Sequence, residues 1–341
     1  MNKFYEQPLF FEKNRVYRVY KGGKLFADFF GDDSVDGNYP EEWVVSTVHA
    51  LNEGSTDPYE GVSKIKGTDI FLSDAVKEYK NELLGDREDI GVLTKILDSA
   101  IRLPVQAHPD KAFSRMHFNS PYGKEESWVI LATRPNAKVY YGFKEGVTLE
   151  EFEKAIEASE TGSNAMEDLL NYIEVVPGDV IYIPAKFCHA IGAGCLLLEV
   201  QEPTDFTVQP ERFCGDHRLS DHEMYLGLDR KEALDCFDIK ATYPAPLSPK
   251  LIAEKDGVIY EALIDEAITT SFSVRRITLC DNGNFTIEKG CSIYVVLDGK
   301  GKIMGEGYEA EIQKGYYFFM PACTKGKFNL SGNITVAECF A

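Results

Sequence analysis

Four side chains in this chain have the types and spacing of a divalent-metal site. Gln106 and His108 stand two residues apart in LPVQAHPD, so on an extended segment both leave the same face. Glu126 follows eighteen residues after His108 and opens the apolar run SWVILA, which reads as a second strand. His189 comes later, after the β-rich EVVPGDVIYIP and a turn containing Pro184. An amide, two imidazoles and a carboxylate form an N/O donor set suited to zinc or a similar divalent ion. Lys124, two residues before Glu126, shares its face on a strand and brings a titratable amine to the same pocket. His49, His117, His217 and His222 lie outside any such motif and read as hydrogen-bonded structural residues.

These groups need rigid elements to hold them. EEWVVSTV around Trp43, VLTKIL and GCLLLEV read as strands from their β-branched and apolar content. A helix is predicted near 73–84, where Val76, Tyr79, Leu83 and Leu84 fall at helical spacing, with Ser73 as N-cap and Gly85 at the exit. A second helical segment is predicted over 149–171, opened by the capping-box pair Thr148 and Glu151. DRKEALDCF reads as a short helix with Asp229 and Glu232 at capping spacing, and Pro244, Pro246 and Pro249 then interrupt regular structure. A boundary there divides the chain into a metal-binding domain, 1–240, and a second β unit, 249–341. The segments EVVPGDVIYIPAKFCHA and AEIQKGYYFFMPACTKG align with Gly178 over Gly315 and Pro184 over Pro321, which suggests a repeat. His189 then falls over Gly326, so the second copy is expected to hold no metal.

The motifs QAHPD, GKEESW and IPAKFCHAIGAG resemble those of the type I phosphomannose isomerases, a family of the cupin superfamily. The likeness runs from GGKLFADFFG through EEWVVS and LTKILD to LLLEV. It implies a mainly β fold with some helix: two cupin-type jelly-roll β-barrels, the first with helical insertions. It further implies Gln106, His108, Glu126 and His189 as ligands of one Zn2+ per chain, or of another divalent metal. The small-molecule partner would be a sugar phosphate, with mannose 6-phosphate and fructose 6-phosphate interconverted by proton transfer through an enediol. Lys124, Glu199 and Asp205 match positions around the family's active site. Where the family carries a catalytic arginine, this chain has Gln209, and Arg212, three residues on, is expected to take its place. Glu42 is read as structural, with the metal pocket as the alternative. Two further readings remain open: a metal-bound sugar-binding cupin without turnover, which Gln209 favours, and an isomerase of a different sugar phosphate.

Composition agrees with a soluble, cytoplasmic enzyme. The 341 residues are 44% hydrophobic, enough for a sizeable core, and length alone suggests two domains at about 150 residues each. A net charge of −19, from 36 basic and 55 acidic residues, argues against a nucleic-acid surface. It does not exclude an anionic sugar, because fields are screened over ~8 Å at physiological salt. No apolar run is long enough to cross a membrane, and the N-terminus lacks the apolar core of a secretory signal. All eight cysteines lie from Cys188 onward without a CxxC pair, which predicts reduced, mostly buried thiols.

Overall fold

A computed structural model describes residues 3–280 and 283–341. Its organising element is a six-stranded antiparallel sheet in the order Arg15–Val16, Glu41–Val44, Leu93–Asp98, Cys195–Gln201, Glu126–Thr133 and Val180–Ile183. A three-stranded sheet, Leu170–Glu174, Lys138–Phe143 and His189–Ile191, shares a core with one of its faces. That core gathers Trp128, Ile130, Leu197 and Ile181 from the larger sheet with Val139 and Ile191 from the smaller one. The opposite face of the six-stranded sheet, carrying Ile96, Val129 and Leu198, packs with Ile293 and Val295 and with the helical cover around Leu72 and Leu83. Burial on both faces explains why 93–98 and 195–201 are buried at every position instead of alternating.

The C-terminal residues build a nine-stranded sheet whose central strands, Ser292–Gly305 and Phe328–Phe340, pair over most of their length. Its own core contains Ile277, Tyr294, Phe318 and Val336. The N-terminal strand Leu9–Phe10 joins this sheet beside Tyr317–Met320, with Leu9 opposite Phe319. The turn glycines of the internal repeat behave alike: Gly178 N–H donates to Ile130 O at 2.8 Å and Gly315 N–H to Val296 O at 2.9 Å. Both have positive φ, and a Cβ at Gly315 would lie 2.4 Å from Phe29 O. The fold is mainly β with some helix, as expected of cupin-type units, and its strands form packed sheets that do not close into barrels.

Two helical expectations are corrected. The 73–84 segment is two short helices, Leu72–Glu78 and Lys80–Leu84, broken at Tyr79 where ψ is 42°. Its N-cap is Phe71, which provides no side-chain bond, so Ser73 lies inside the first turn. The segment from 149 stays helical only to Ser159, opened by the Thr148–Glu151 capping box. Gly162, at φ +80°, lies in the following turn, and a 3-10 turn, Glu167–Leu169, leads into the 170–174 strand. Met166 and Leu170 nonetheless pack with Phe152 and Ile156. Asp229 caps the helix Arg230–Leu234 as expected. Among the described residues no helix is long and apolar enough to cross a membrane.

Candidate functional site

Register places the site on one face of the six-stranded sheet. Trp43 lies across from Lys95, Lys95 from Glu199, and Glu199 from Trp128, so these four side chains form a row over adjacent strands. Two residues along from its ends stand Glu41 and Glu126, on the same face by the strand period. Gln106 and His108 are not on a regular strand. Pro104 and Pro109 remove backbone donors from that segment, and its ladder shrinks to two isolated bridges, Gln106 to His189 and Ala107 to Val208. The first bridge is sufficient to carry Gln106 and His108 to the His189 strand. Asp110 is no ligand: it caps the helix Lys111–Phe118 by accepting from Phe113 N at 2.7 Å.

His108, Glu126 and His189 converge, with one donor atom from each lying within 4.8 Å of the others. All three are at most 1% exposed. His108 Nδ1 lies 3.0 Å from Phe206 O, and His189 Nδ1 2.8 Å from Phe187 O. A carbonyl can only accept, so each Nδ1 carries the proton and each Nε2 presents a lone pair to the centre. Those Nε2 atoms approach Glu126 at 3.1 and 3.4 Å without hydrogen-bond geometry. They and both Glu126 oxygens are buried with no hydrogen-bond partner among the described residues. Leaving such groups unsatisfied costs about 1–3 kcal/mol each. A divalent cation at their centre satisfies all four atoms, so the residues fit a metal. Burial, with help from Lys124, pushes the His108 pKa down to about 3, which keeps the imidazole in its ligating neutral form. At Glu126 burial acts upward, but the neighbouring His108 ring and the Lys124 side chain outweigh it and hold the carboxyl well below the usual range.

Gln106 and Lys124 form part of the wall of a cavity of about 510 Å³. Lys124 Nζ lies 3.4 Å from Glu126 Oε2 and 3.3 Å from Thr207 Oγ1, with its side chain 5% exposed. Glu199 and Asp205 also line the cavity, so the structure brings these predicted residues together. Burial drives the Glu199 pKa upward, and the Glu126 and Glu41 charges add to it against the pull of Lys95. Asp205 accepts from Arg18 Nη2 at 3.0 Å through both oxygens and from Leu51 N at 2.8 Å.

Arg212 is elsewhere. Its guanidinium donates to Glu160 at 2.7 and 2.8 Å, to Asp221 at 2.8 Å and to Leu219 O at 2.8 Å, and it does not line the cavity. The expectation that it replaces the arginine missing at position 209 therefore fails on geometry. Gln209 does line the cavity, with its Nε2 donating to Glu223 O at 3.0 Å. Glu42 faces away, beside Arg15 at 2.5 Å and accepting from Tyr317 and from Asn14 N, so it is structural. Sequence reasoning missed Arg18, Glu41 and Lys95, which line the cavity, and His49 and His222, which it read as structural and which also reach the wall. A lysine inside the apolar run VLTKIL was the available signal.

Comparison with known proteins bears directly on this arrangement. Residues 266–340 match the family model described as mannose-6-phosphate isomerase, cupin domain. The chain is 30% identical to the mannose-6-phosphate isomerase ManA of Bacillus subtilis, with 98% of each chain covered. It is 26% identical to the mannose-6-phosphate isomerase of Streptococcus mutans, covering 94% of each. Its fold matches the crystal structure of the mannose 6-phosphate isomerase from Bacillus subtilis with a TM-score of 0.79, at 23% identity over 98% of this chain and 99% of that one.

Proposed function

The chain belongs to the mannose-6-phosphate isomerase family, the type I phosphomannose isomerases of the cupin superfamily, and we propose that it is itself a metal-dependent aldose–ketose isomerase interconverting mannose 6-phosphate and fructose 6-phosphate. The observation that carries this is the convergence of four buried, unpartnered donor atoms from His108, Glu126 and His189, with Glu126 3.4 Å from Lys124 in the wall of the cavity. Gln106, bridged to His189 by backbone bonds, is the proposed fourth ligand. Two imidazoles and a carboxylate suit Zn2+, and a bound ion there supplies Lewis-acid stabilisation of negative charge on a sugar oxygen.

The isomerisation moves one proton between C2 and C1 and one between the two oxygens, so the products balance without an oxidant. Lys124 is the candidate donor to the sugar oxygen that gains charge, a role supported by its burial beside Glu126. Glu199 is the candidate for holding the transferred proton, because it lines the cavity and burial raises its pKa above the ordinary carboxylate value. Asp205, fixed by Arg18, accepts from a sugar hydroxyl. Arg18 and Lys95 position Asp205, Glu41 and Glu199 and are not proposed to touch the reacting carbons.

The second reading, a metal-bound sugar-binding protein without turnover, is favoured by Gln209 at the family's arginine position and by the engagement of Arg212 elsewhere. Assay of the purified protein with mannose 6-phosphate, with and without chelator, separates the two. Chelator-sensitive formation of fructose 6-phosphate is expected. Metal-dependent binding of the sugar without conversion would establish the binder.

A further inference from the structure

We infer that Thr269, in the C-terminal sheet, is a positioning residue for the metal centre: through Glu125 it fixes the start of the strand that carries Lys124 and Glu126. The role rests on the isomerase reading and gives the C-terminal sheet a part in that chemistry.

Glu125 stands between the two functional residues and points the other way. Side chains alternate along extended backbone, so Lys124 and Glu126 share one face while Glu125 joins Ser127 and Val129 on the opposite one. That second face packs on the C-terminal sheet, with Val129 in one core with Ile293 and Val295. Glu125 accordingly lines no part of the cavity. Its Oε2 accepts from Tyr182 Oη at 3.0 Å and from Thr269 Oγ1. Tyr182 is the residue opposite Ser127 on the neighbouring strand, so the first of these bonds stays within the sheet. The second leaves it. Thr269 is 8% exposed and lies in the connection between the strands Val258–Ile264 and Ser273–Leu279. Its hydroxyl is oriented from both sides: Oγ1 accepts from Ser271 N at 3.0 Å, and a carboxylate can only accept, so the proton goes to Glu125. Phe272, buried in the shared core, anchors this connection.

The same connection reaches the segment that carries His108. Ser271 Oγ accepts from Lys111 Nζ at 3.0 Å, and Lys111 also lies 3.2 Å from Glu202 Oε1. Glu202 closes the circuit, because its Oε2 accepts from Glu125 N at 3.2 Å and its own N–H donates to Glu125 O at 3.0 Å. Lys124 N–H donates to Pro109 O at 2.9 Å, one residue from His108. Residues 108–111 and 124–126 are therefore bonded to each other and to residues 269–271. The Thr269–Glu125 bond is the charge-assisted kind, about twice as strong as a neutral one. A ligand set has to be held to within about 0.5 Å, and loss of an outer partner weakens metal binding or activity by about 10- to 100-fold.

The test uses the full-length protein, with Zn2+ alone as the probe in competition with a chromophoric chelator. Four variants are compared with the parent: Thr269→Val, Thr269→Ser, Glu125→Ala and the double variant Thr269→Val/Glu125→Ala. Valine keeps the shape of threonine without its hydroxyl, and serine keeps the hydroxyl. The Zn2+ dissociation constant should rise about 10-fold in Thr269→Val and stay within ~3-fold of the parent in Thr269→Ser. It should be no higher in the double variant than in Glu125→Ala, because both changes cut one tether. A Thr269→Val constant within ~3-fold of the parent, even with a lowered thermal midpoint, overturns the inference, as does additivity in the double variant. If the valine protein does not fold, Glu125→Ala decides by the same 3-fold limit. A parent that binds Zn2+ and converts no mannose 6-phosphate sinks the isomerase reading and leaves the positioning of the metal centre to these constants. A parent that binds no Zn2+ overturns both.

Discussion

Glu41→Gln should destabilise the protein by about 3–5 kcal/mol, the usual cost of breaking a buried charge network from one side. Glu41 is 4% exposed, accepts from Tyr20 Oη at 2.7 Å and Trp43 Nε1 at 2.6 Å, and stands 3.1 Å from Arg18 and 3.7 Å from Lys95. The glutamine keeps the size of the side chain but leaves each cation with a single carboxylate partner, Asp205 or Glu199. Unfolding entropy of ~2.1 cal/mol/K per residue gives ~0.7 kcal/mol/K for a chain of this length, so the midpoint should fall by ~4–7 °C in a single cooperative transition. Burial works against ionisation of Glu41, yet Arg18 and Lys95 overcome it and depress the folded-state pKa far below the ordinary value. Its contribution is therefore complete above the unfolded glutamate pKa of about 4.3 and is lost as pH falls through the lower folded value. Calorimetry of both proteins between pH 7 and about pH 2 should show a gap that holds through neutral pH and narrows only below about 4. A midpoint within 1 °C of the parent at pH 7, on the order of a 0.7 kcal/mol effect, would refute the account of this network.

His189→Ala should lose most bound metal while keeping the far-UV circular dichroism of the parent; full metal content by elemental analysis would remove His189 from the ligand set. Lys124→Met should lower kcat by about 100-fold or more, the range of a lost proton-transfer or donor group, with the metal content retained, and an unchanged kcat excludes the role given to this lysine. Arg212→Ala should lower stability by about 1–2 kcal/mol through its buried bond to Leu219 O, and change kcat less than ~3-fold; a loss above 10-fold would restore it as an active-site residue. Gln209→Arg should raise kcat/KM for mannose 6-phosphate relative to mannose, because it adds a free cation to the wall, and an unaltered ratio would show that position 209 does not face the phosphate.

What could be read from the sequence, and what could not, divides at contacts made by register. His108, Glu126 and His189 were legible because each sits in a local motif whose residue types have few other uses, and the capping residues Thr148 and Asp229 because a helix start is decided within four residues. Glu41 was not: Glu41 and Glu42 are adjacent in EEWV, and a strand sends one to the cavity and the other to Arg15 and Tyr317. Only the pairing of Glu41 with Leu97 and of Glu42 with Ile96 selects the face, and that pairing joins segments more than fifty residues apart. Arg212 failed for the related reason that nearness in sequence was taken for nearness in space; its partners Glu160 and Asp221 come from other elements. The same logic explains Arg18, whose carboxylate partner Asp205 lies 187 residues away. That pairing bears on the site as well as on the fold, because Arg18 Nη2 holds both oxygens of Asp205 at the wall of the cavity. The change from a cationic residue to Gln209 was visible in the sequence, whereas the pairing of Arg18 with Asp205 and of Lys95 with Glu199 became visible only once the strands were in register.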